Sequence, residues 1–589
     1  MAAVTMKTRH RQIPESRLLL ILSLVVGLCS GAAAVVLEKL IHLIQHMLSP
    51  LLEKSDTFNI AYIILPGVGM FLAMLIVKYI IRDKIGHGVT KVLVAVSRNE
   101  SVIKPHNMWS SLLTSSLTIG FGGSVGAEAP IVYTGSAIGS NLGRYFGLSH
   151  RSITVLVGCG AAGAVAGIFK APLAGVLFTL EILLFNISMT SMTPLLLSTV
   201  SATVVSYIFL GDNVPFACTL DPFAIGRIPF YVILGIFCAL VSLYFQGTTL
   251  WLEDKLKHHF RNPYLKWLFC ATGLGILVLL FPPLFAEGYS SLTLLLNGQN
   301  VDVNGISPIS FILGTPWGVP VFFALIMLAK VFSMTFTNAG GGVGGTFGPT
   351  LFVGGLAGFV MARSVNLAFP SVMLPEQNFV LVGMAGLMAG VMQAPMTAIF
   401  LIAEITGGYE LFLPLIICST ISYGTTRFKE KYSIYTKRIA QSGDLLTHDS
   451  DQAVLTLLKL DDFIERDFAT VDIEASLGTL VKAVSRSRRN IFPVIDSKNR
   501  FQGYVLLDDI RRDMFKSDCY DTLRVFNFVR SAPAYIIDTD PMDEVMRKFE
   551  STEAWNLPVV DKDRTYIGFI SKSKIFTAYR DELKELSHD

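Results

Sequence analysis

The sequence predicts an all-α polytopic membrane domain made of two related, inverted halves, followed by a smaller cytosolic α/β domain. Three observations lead to this prediction. Hydrophobic residues make up 52% of the 589 residues and charged residues only 16%, a composition typical of membrane proteins. The apolar part repeats two glycine-rich motifs in the same order. Charged residues then become dense after Arg427, and a second repeat follows at 467–505 and 532–570, each half of which predicts the order strand, helix, strand, turn, strand, helix.

The distribution of charge predicts how the chain crosses the membrane. No Lys or Arg occurs between Lys266 and Lys330, whereas basic residues crowd the first 17 residues and recur in the loop at 255–261. The positive-inside rule places these segments and the charged C-terminal region in the cytoplasm, which requires an even number of crossings. We therefore expect a multi-pass protein of the cell membrane, plasma or bacterial inner, with both termini cytoplasmic.

Four glycine-rich stretches interrupt the hydrophobic region, and each ends in a proline that suits the first turn of a new helix. They are Gly120–Pro130, Gly167–Pro172, Gly340–Pro349 and Gly390–Pro395. A helix broken at membrane depth is tolerated only inside protein or against a watery cavity. The breaks therefore indicate a site inside the membrane domain.

Two of these motifs recur along the chain. The segment Gly167–Ile182 aligns without gaps on Gly390–Ile405, and Gly123–Pro130 corresponds to Gly342–Pro349 at nearly the same separation. The membrane region is therefore predicted to be two related halves. Repeats with matched broken helices place a binding site where the halves meet, near the middle of the bilayer.

Glu128 is the first candidate for the chemistry of that site. A carboxylate in a hydrophobic region is costly and is by default a functional candidate. It follows Gly126 and Ala127 at a predicted helix start, where free backbone N–H groups and the helix dipole favour an anion. Glu128 could fill this anion site itself or yield it to a free anion when protonated. The alternative is a carboxylate that only caps its own helix.

Two further glycine-rich helix starts could supply amides to a dehydrated anion. One is Gly344–Pro349 in the second half, which carries no carboxylate. The other is Gly86–Val89, which includes His87 and Gly88 and follows an apolar run that ends near Ile81. By itself this second segment would be only a turn.

The segments Gly123–Pro130, Gly167–Glu181 and Gly341–Pro349 resemble the three signature motifs of the CLC chloride channel and transporter family. The C-terminal repeat is similar to the tandem CBS domains that many members carry. The resemblance covers nearly the whole chain. It implies the following boundaries: an N-terminal tail at 1–17, a transport domain at 18–443 with halves at about 18–210 and 228–425, a linker at 444–462, and CBS domains at 463–522 and 528–585.

The resemblance also implies roles for individual residues. Glu128 matches the gating glutamate, which is also the extracellular proton acceptor, and Thr346 and Phe347 match positions whose amides contact the central anion. Tyr435 matches the tyrosine whose hydroxyl contacts that anion, although the sequence alone favours an interfacial aromatic. The implied function is chloride/proton exchange by a homodimer with one pore in each subunit. Chloride, protons and lipid are the implied partners, and no cofactor is required.

Two departures from the family pattern bear on that function. His87 stands where the family usually has an anion-coordinating serine, which affects halide preference and pH response. Ile182 stands where well-coupled antiporters have the internal proton glutamate, so a passive voltage- or pH-gated chloride channel is the alternative. The preceding Glu181 and its repeat mate Glu404 are interpreted as a structural pair that hydrogen-bonds within the protein.

The C-terminal repeat could bind an adenine nucleotide, with Asp509 and Ser571 as the candidate contacts. The first module keeps Asp509 for ribose hydroxyls but has Leu506 where a hydroxyl is expected. The second module keeps the hydroxyl of Ser571 and has Lys574 in place of the acid. A purely structural role in dimerisation is the alternative.

Other classes of function have weaker signals. Glu38, His42 and His46 share one helical face with the histidine spacing of a zinc helix, which would suit a CBS-regulated membrane metalloprotease, but the general base of an HExxH pattern is missing. We therefore expect no metal site and no enzyme activity. The glycine clusters lack a P-loop Lys, and a net charge of +3 gives no sign of nucleic-acid binding.

Overall fold

The computed structural model describes residues 14–52, 60–83, 86, 88–98, 101–183, 189–211, 216, 220–298, 309, 313–441 and 460–578. The chain divides into two compact units, Met1–Leu445 and Leu446–Asp589. The first unit is helical in its described part, and the second contains all six described strands. Each unit has its own architecture.

The described part of the first unit contains seventeen α-helices, named here in chain order. They are α1 (Glu15–Leu52), α2 (Ala61–Leu75), α3 (Gly88–Arg98), α4 (Ser110–Gly120), α5 (Glu128–Tyr145), α6 (His150–Phe169), α7 (Pro172–Glu181), α8 (Met189–Leu210), α9 (Ile228–His259), α10 (Pro263–Leu280), α11 (Tyr289–Leu296), α12 (Gly318–Ala339), α13 (Phe347–Ala368), α14 (Glu376–Met392), α15 (Pro395–Ile405), α16 (Phe412–Lys429) and α17 (Ile434–Gln441).

Eight described helical stretches are long and apolar enough to cross a membrane, judged by length and composition. They lie at 15–52, 61–81, 150–169, 191–210, 225–259, 263–280, 318–339 and 347–368. A π-helical turn at Ile76–Ile81 extends the second of them. The remaining apolar helices, such as α7 and α15, have 10 to 17 residues and are short for a full crossing, which takes about 20 residues.

The packing of the helices repeats between the two halves. In the first half α1, α6 and α8 pack together, and in the second half α9, α14 and α16 form the matching group. The pairs α5 with α6 and α2 with α4 are likewise matched by α13 with α14 and α10 with α12. The two related halves predicted from the glycine-rich motifs are therefore confirmed as structural repeats.

All four predicted breaks separate helices. Two of them divide α4 from α5 and α12 from α13, and the other two divide α6 from α7 and α14 from α15. Lys170 and Gln393 end α6 and α14 in the left-handed conformation, with φ of 54° and 55°. Pro172 and Pro395 then begin α7 and α15, because a proline needs no N–H partner in the first turn.

Two threonines form hydrogen bonds between the helix breaks of the two halves. The Thr337 hydroxyl, at the end of α12, accepts the backbone N–H of Ser124 in the first half at 3.1 Å. The Thr118 hydroxyl, at the end of α4, accepts the N–H of Val343 in the second half at 3.0 Å. The repeats thus exchange equivalent hydrogen bonds, which satisfy buried amides that the broken helices leave without a helical partner.

The second unit consists of two modules of the same topology. The first has β1 (Val471–Asp472), α18 (Leu477–Arg486), β2 (Ile491–Ile495), β3 (Phe501–Leu506) and α19 (Leu507–Ile510), and the second has β4 (Ile536–Ile537), α20 (Met542–Thr552), β5 (Asn556–Val560), β6 (Tyr566–Ser571) and a helical segment at 572–578. In each sheet the middle strand pairs in parallel with the first strand and antiparallel with the third. This is the strand, helix, strand, turn, strand, helix order predicted from the repeat.

The last strand of each module pairs with the chain segment that precedes the first strand of the other module. Glu465, ahead of β1, exchanges backbone hydrogen bonds of 2.8 and 3.0 Å with Phe569 in β6. Arg530, ahead of β4, exchanges bonds of 3.0 and 2.9 Å with Tyr504 in β3. Because each exchange covers a sheet edge that would otherwise be open, the two modules form one structural unit.

Candidate functional site

The two glycine-rich helix starts of the membrane unit meet directly. The Gly126 N–H donates to the Gly345 carbonyl at 3.1 Å, and the Gly345 N–H donates to the Gly126 carbonyl at 2.7 Å. This short antiparallel bridge lies just before α5 and α13 and brings the two helix N-termini together. A Cβ on Gly345 would come within 2.8 Å of the Ala129 Cβ, which explains why glycine is needed for this approach. The amide of Gly126, predicted to face an anion, is used in the bridge.

Glu128 lies between these helix starts. It is the first residue of α5, and only 2% of it is exposed. Its Oε1 accepts the Tyr289 hydroxyl at 2.6 Å, and its Oε2 accepts the N–H of Gly348, in the first turn of α13, at 3.2 Å. The carboxylate therefore occupies an amide of the opposite half's helix start, where a free anion would also be stabilised.

Thr346 and Phe347 lie at the same helix start, and Tyr435 contacts Thr346 there. Thr346 precedes α13 and Phe347 begins it, and both are buried. The Thr346 hydroxyl donates to the Tyr435 hydroxyl at 3.4 Å, and the Tyr435 side chain is 1% exposed. Tyr435 is thus an interior residue rather than an interfacial one. Together with Glu128 it brackets the first turn of α13, whose amides have no acceptor within their own helix.

The third predicted helix start is α3, which begins at Gly88. Gly88 and Val89 are buried. A Cβ on Gly88 would come within 2.2 Å of the Ala129 carbonyl oxygen in α5, so α3 begins against the first turn of the helix that carries Glu128. It also packs against α17, which carries Tyr435. His87, predicted to help bind the anion, lies outside the described residues.

A second carboxylate, which the sequence analysis did not single out, reaches the start of α5. The Ala127 N–H, predicted as an anion ligand, donates to Glu287 Oε1 at 3.0 Å. Glu287 precedes α11 in the chain and is partly exposed. Both helix starts are therefore covered by carboxylates, α5 by Glu287 and α13 by Glu128.

A fully buried lysine lies beneath this arrangement. Lys330, in α12, is 0% exposed, and its ammonium donates to Ser124 Oγ at 2.8 Å and to the carbonyl oxygens of Ala286 and Glu287, each at 3.1 Å. It also lies over the Phe352 ring, 4.9 Å from the centroid. These contacts fix the loop that positions the Glu287 carboxylate and satisfy the three donors of the ammonium group.

A cavity of about 560 Å³ leads to the two carboxylates. Glu128, Glu287 and Tyr289 line its inner end, and Glu38 and His42 of α1 line its wall. The His42 Nε2 is 3.9 Å from Glu38 Oε1. In the part of the chain that the structure describes, no group of three His, Cys, Asp or Glu residues could hold a metal. The ionisable groups among the lining residues include Glu38, His42, Glu128 and Glu287.

Glu181 and Glu404 form the pair of structural carboxylates predicted from the repeat. Glu181, at the end of α7, accepts the N–H groups of Met396 and Thr397 at the start of α15, at 2.9 and 2.7 Å. Glu404, at the end of α15, accepts the N–H groups of Leu173 and Ala174 at the start of α7, at 3.0 and 2.9 Å. Each half therefore caps a helix of the other half, and the predicted hydrogen bonding is confirmed.

The position after Glu181 is apolar and enclosed. Ile182 is 4% exposed and follows the last residue of α7. Both oxygens of Glu181 already accept hydrogen bonds. Oε1 accepts the Met396 N–H, and Oε2 accepts the N–H and, at 2.7 Å, the hydroxyl of Thr397. Neither position therefore offers a free carboxylate for proton transfer.

In the second unit the two nucleotide candidates have protein partners. Arg530 forms a two-pronged ion pair with Asp509, through Nε to Oδ2 at 2.7 Å and through Nη2 to the other oxygen. The Ser571 hydroxyl accepts the Lys574 N–H at 3.2 Å and lines a cavity of about 670 Å³ together with Asn556, Arg489 and Lys574. Glu465 lines the same cavity and forms an ion pair of 2.6 Å with Arg489, which also pairs with Asp467, so Lys574 is the lining cation outside these pairs. Asp509 is closed off by its own arginine.

The sequence carried a signal for the residues that the analysis missed. Glu287 is one of two carboxylates, with Asp302, in the stretch without Lys or Arg that ends at Lys330, and an ionisable residue inside a membrane domain is by default a functional candidate. Tyr289 and Ser124 carried no comparable signal. Their roles arise from contacts with residues about 160 to 210 positions away, as in Tyr289 with Glu128 and Ser124 with Lys330.

Comparison with family models matches both units. Residues 68–427, more than half of the chain, match the family described as voltage gated chloride channel. Residues 460–516 and 525–581 each match the CBS domain.

Individual relatives extend the match along the chain. Chloride channel protein CLC-e of Arabidopsis thaliana is 27% identical over 564 residues, which is 85% of this chain and 77% of that protein. The H(+)/Cl(-) exchange transporter ClcA of Vibrio cholerae serotype O1 (strain M66-2) is 25% identical over 68% of this chain and 84% of its own length. The crystal structure of a slow cyanobacterial Cl-/H+ antiporter superimposes with a TM-score of 0.63 at 22% identity, over 73% of this chain and 98% of that one. This structure shows that the membrane fold is shared.

Proposed function

Because the chain belongs to the voltage gated chloride channel family, we propose that it exchanges chloride for protons across a membrane. The observation that carries the proposal is the position of Glu128, which is buried between two facing helix starts at the end of a solvent-connected cavity. A carboxylate in that position can both block an anion and carry a proton. Names of relatives support exchange, since ClcA is described as an exchange transporter.

The geometry suggests how one group serves both ions. A chloride ion that reaches the first turn of α13 can accept the Gly348 N–H in place of Glu128 Oε2. The displaced carboxylate turns toward the cavity and takes up a proton, which removes the charge that competes with the anion. When the carboxyl group gives up its proton, the carboxylate returns to the amide and closes the path. Thr346, Phe347 and Tyr435 would hold the anion on the far side of Glu128, and Gly88 and Val89 would form the next helix start along the path.

We base the proposed orientation on the positive-inside rule, which assigns the basic N-terminal segment to the cytoplasm. With the N-terminus in the cytoplasm, the C-terminal part of α1, which holds Glu38 and His42, lies toward the outside. Arg438 in α17 forms an ion pair of 2.6 Å with Glu253 near the end of α9, next to the basic loop at 255–261. We therefore place both termini in the cytoplasm of a cell membrane, plasma or inner, and the Glu128 cavity outside.

Passive chloride conduction is the second candidate, and Ile182 is the observation that favours it. An isoleucine that is 4% exposed cannot carry a proton from the inside, and the neighbouring Glu181 is held by three hydrogen bonds. Exchange would then need another inner route for the proton. A metalloprotease has no such support, because the matched family is one of transport proteins.

Reconstitution of the purified protein in liposomes separates exchange from conduction. Under a fixed chloride gradient, we expect the reversal potential to move when a proton gradient is imposed, and chloride flow to drive protons uphill. A reversal potential that depends on chloride alone would reject exchange and leave passive conduction. Repeating the measurement with fluoride and nitrate identifies the preferred anion.

We also propose that the protein is a homodimer with one pore in each subunit, as the family resemblance implies. Cross-linking in native membranes and light scattering in detergent measure the stoichiometry. A monomer that retains full transport in liposomes at low protein density would contradict the proposal.

For the CBS pair we propose an adenine nucleotide as the ligand of the second module. Ser571 and Asn556 could bind the nucleoside, and Lys574 supplies positive charge for phosphates at the same cavity, where Arg489 is already paired with Glu465 and Asp467. Titration calorimetry with ATP and AMP tests this, with Ser571→Ala as the variant and the more distant Ser485→Ala as its control. Absence of binding to the intact protein would leave the pair a structural element.

A further inference from the structure

The start of α5 is covered by the carboxylate of Glu287 in addition to Glu128, whose carboxylate also interacts with its own backbone amide. Glu128 begins α5, yet its Oε2 is bound to Gly348 of α13. The Ala127 N–H at the start of α5 donates instead to Glu287 Oε1 at 3.0 Å. The Ala127 amide therefore has a carboxylate of its own, and releasing Glu128 would leave this amide covered by Glu287.

Glu287 lies between the cavity and this amide. It lines the cavity together with Ala127 and Glu128, so an anion arriving from solvent meets Glu287 at the start of α5. Its backbone carbonyl accepts the Lys330 ammonium at 3.1 Å, while its carboxylate accepts the Ala127 N–H. The main chain is thus anchored, and the side chain can exchange the amide for solvent without disturbing the loop.

We propose that Glu287 is a second gating carboxylate, which occupies the Ala127 amide in the resting state and must withdraw or be protonated before chloride can bind at the start of α5. The proposal rests on the anion transport proposed above. It assigns to Glu287 control of anion entry from the cavity, and leaves proton coupling to Glu128.

The charges around Glu287 agree with this role. Glu128 and Glu38 are the acidic groups that face it, and the Lys330 ammonium is the cation near its backbone. His42 lines the same cavity wall, and the Tyr289 hydroxyl, two residues along the chain, is committed to Glu128. An anion entering a site with two ionised carboxylates is repelled by both, so neutralising either one favours entry.

The test is Glu287→Gln in the full-length protein reconstituted in liposomes. Glutamine keeps an oxygen that can accept the Ala127 N–H but removes the charge and the protonatable group. We expect chloride flux at neutral pH on the cavity side to rise by about tenfold. The reason is that the substitution removes the negative charge that competes with chloride for the Ala127 N–H. On acidification of that side the flux of the variant should also rise less than the flux of the parent protein, and the remaining rise comes from Glu128. The reversal potential should keep its dependence on the proton gradient.

Glu38→Gln is the matched control, because it removes one negative charge from the same cavity without a contact to the helix start. If it raises flux and flattens the pH profile as much as Glu287→Gln, the effect is one of general charge and the proposal is wrong. An unchanged flux and pH profile in Glu287→Gln would also overturn it. Glu287→Asp, whose shorter side chain retracts the carboxylate, should raise flux while keeping a pH response, and it covers the case in which the glutamine variant fails to fold.

The outcomes also separate this proposal from the function on which it rests. If the parent protein shows no proton-dependent reversal potential, exchange fails, but a faster and less pH-dependent anion flux in Glu287→Gln still supports the second gate. If exchange is present and Glu287→Gln changes neither flux nor pH profile, the second gate fails alone.

Discussion

Glu128 in the first half accepts the backbone N–H of Gly348 in the second half at 3.2 Å. The carboxylate and the amide that binds it thus belong to different repeats, and the contact exists only because Gly126 and Gly345 join the two helix starts. The Glu128 carboxylate must leave the Gly348 amide before an anion can bind there. Binding of the anion is therefore linked to protonation of the carboxylate.

Glu128→Gln should abolish proton movement while anion flux continues or becomes faster. Glutamine resembles the protonated carboxyl group in size and cannot release a proton. The measurement is proton uptake by liposomes under a chloride gradient, with chloride efflux recorded in parallel. Unchanged proton coupling in this variant would refute the assigned role of Glu128.

Gly126→Ala should displace Glu128 from its amide. A Cβ at this position would lie 2.1 Å from Glu128 Oε2 and 2.9 Å from the Gly348 nitrogen. We expect weaker proton coupling and a loss of about 1–3 kcal/mol in the free energy of unfolding, the usual cost of overpacking. The control is Gly424→Ala in α16, where an added Cβ meets nothing within 4 Å. Equal effects of the two substitutions on proton coupling would contradict the packing argument.

Glu181→Gln and Glu404→Gln should destabilise the membrane unit to a similar extent. Each substitution weakens a charged cap on a helix of the opposite half, at a cost of about 1–2 kcal/mol. Thermal unfolding in detergent measures the loss, and Glu410→Gln, an exposed site of the same half as Glu404, is the control. Because both carboxylates are committed to caps, we expect the reversal potential to stay unchanged, and a loss of coupling in Glu181→Gln would reveal a role in proton transfer.

Ile182→Glu should tighten the coupling of protons to chloride if the inner route limits exchange. The new carboxylate can carry a proton, but its burial should lower the melting temperature. Ile182→Gln is the matched variant, which is equally polar and cannot carry a proton. A folded Ile182→Glu protein with the same reversal potential as the glutamine variant would show that the proton takes another path.

The second unit should lose stability in acid partly through Asp496 and Asp561. The turn amides of Arg500 and Thr565 donate to these carboxylates at 2.8 and 2.7 Å and hold the pKa of each below its usual range. Because the folded state has the lower pKa, the stabilisation is complete above the unfolded value of about 3.9 and is lost as the pH falls through the folded value. Hydrogen exchange of β2 and β5 between neutral pH and pH 3 measures this. Asp496→Asn and Asp561→Asn should reduce the pH dependence, and an unchanged dependence would show that other groups dominate.

The sequence was sufficient for the features that local signals determine. Proline and glycine mark the breaks, and the recurrence of Gly123–Pro130 as Gly342–Pro349 predicts that the starts of α5 and α13 meet, so Glu128 could be placed at the site before any coordinates. Contacts between distant residues could not be predicted in the same way. Ala127 and Glu287 are 160 positions apart and Ser124 and Lys330 are 206 apart, and only the packing of α5, α11 and α12 brings them together.

The hydrogen bonds that the Val343 N–H donates to Thr118 and the Ser124 N–H donates to Thr337 limit how the two halves can move during transport. A rocker-switch cycle, in which two rigid bundles tilt apart to open alternate sides, would strip four buried groups of their partners at each stroke. The cross-bonded seam therefore favours a cycle in which side chains swing while the scaffold stays closed, so the turnover rate should depend on rotamer exchange rather than on hinge bending.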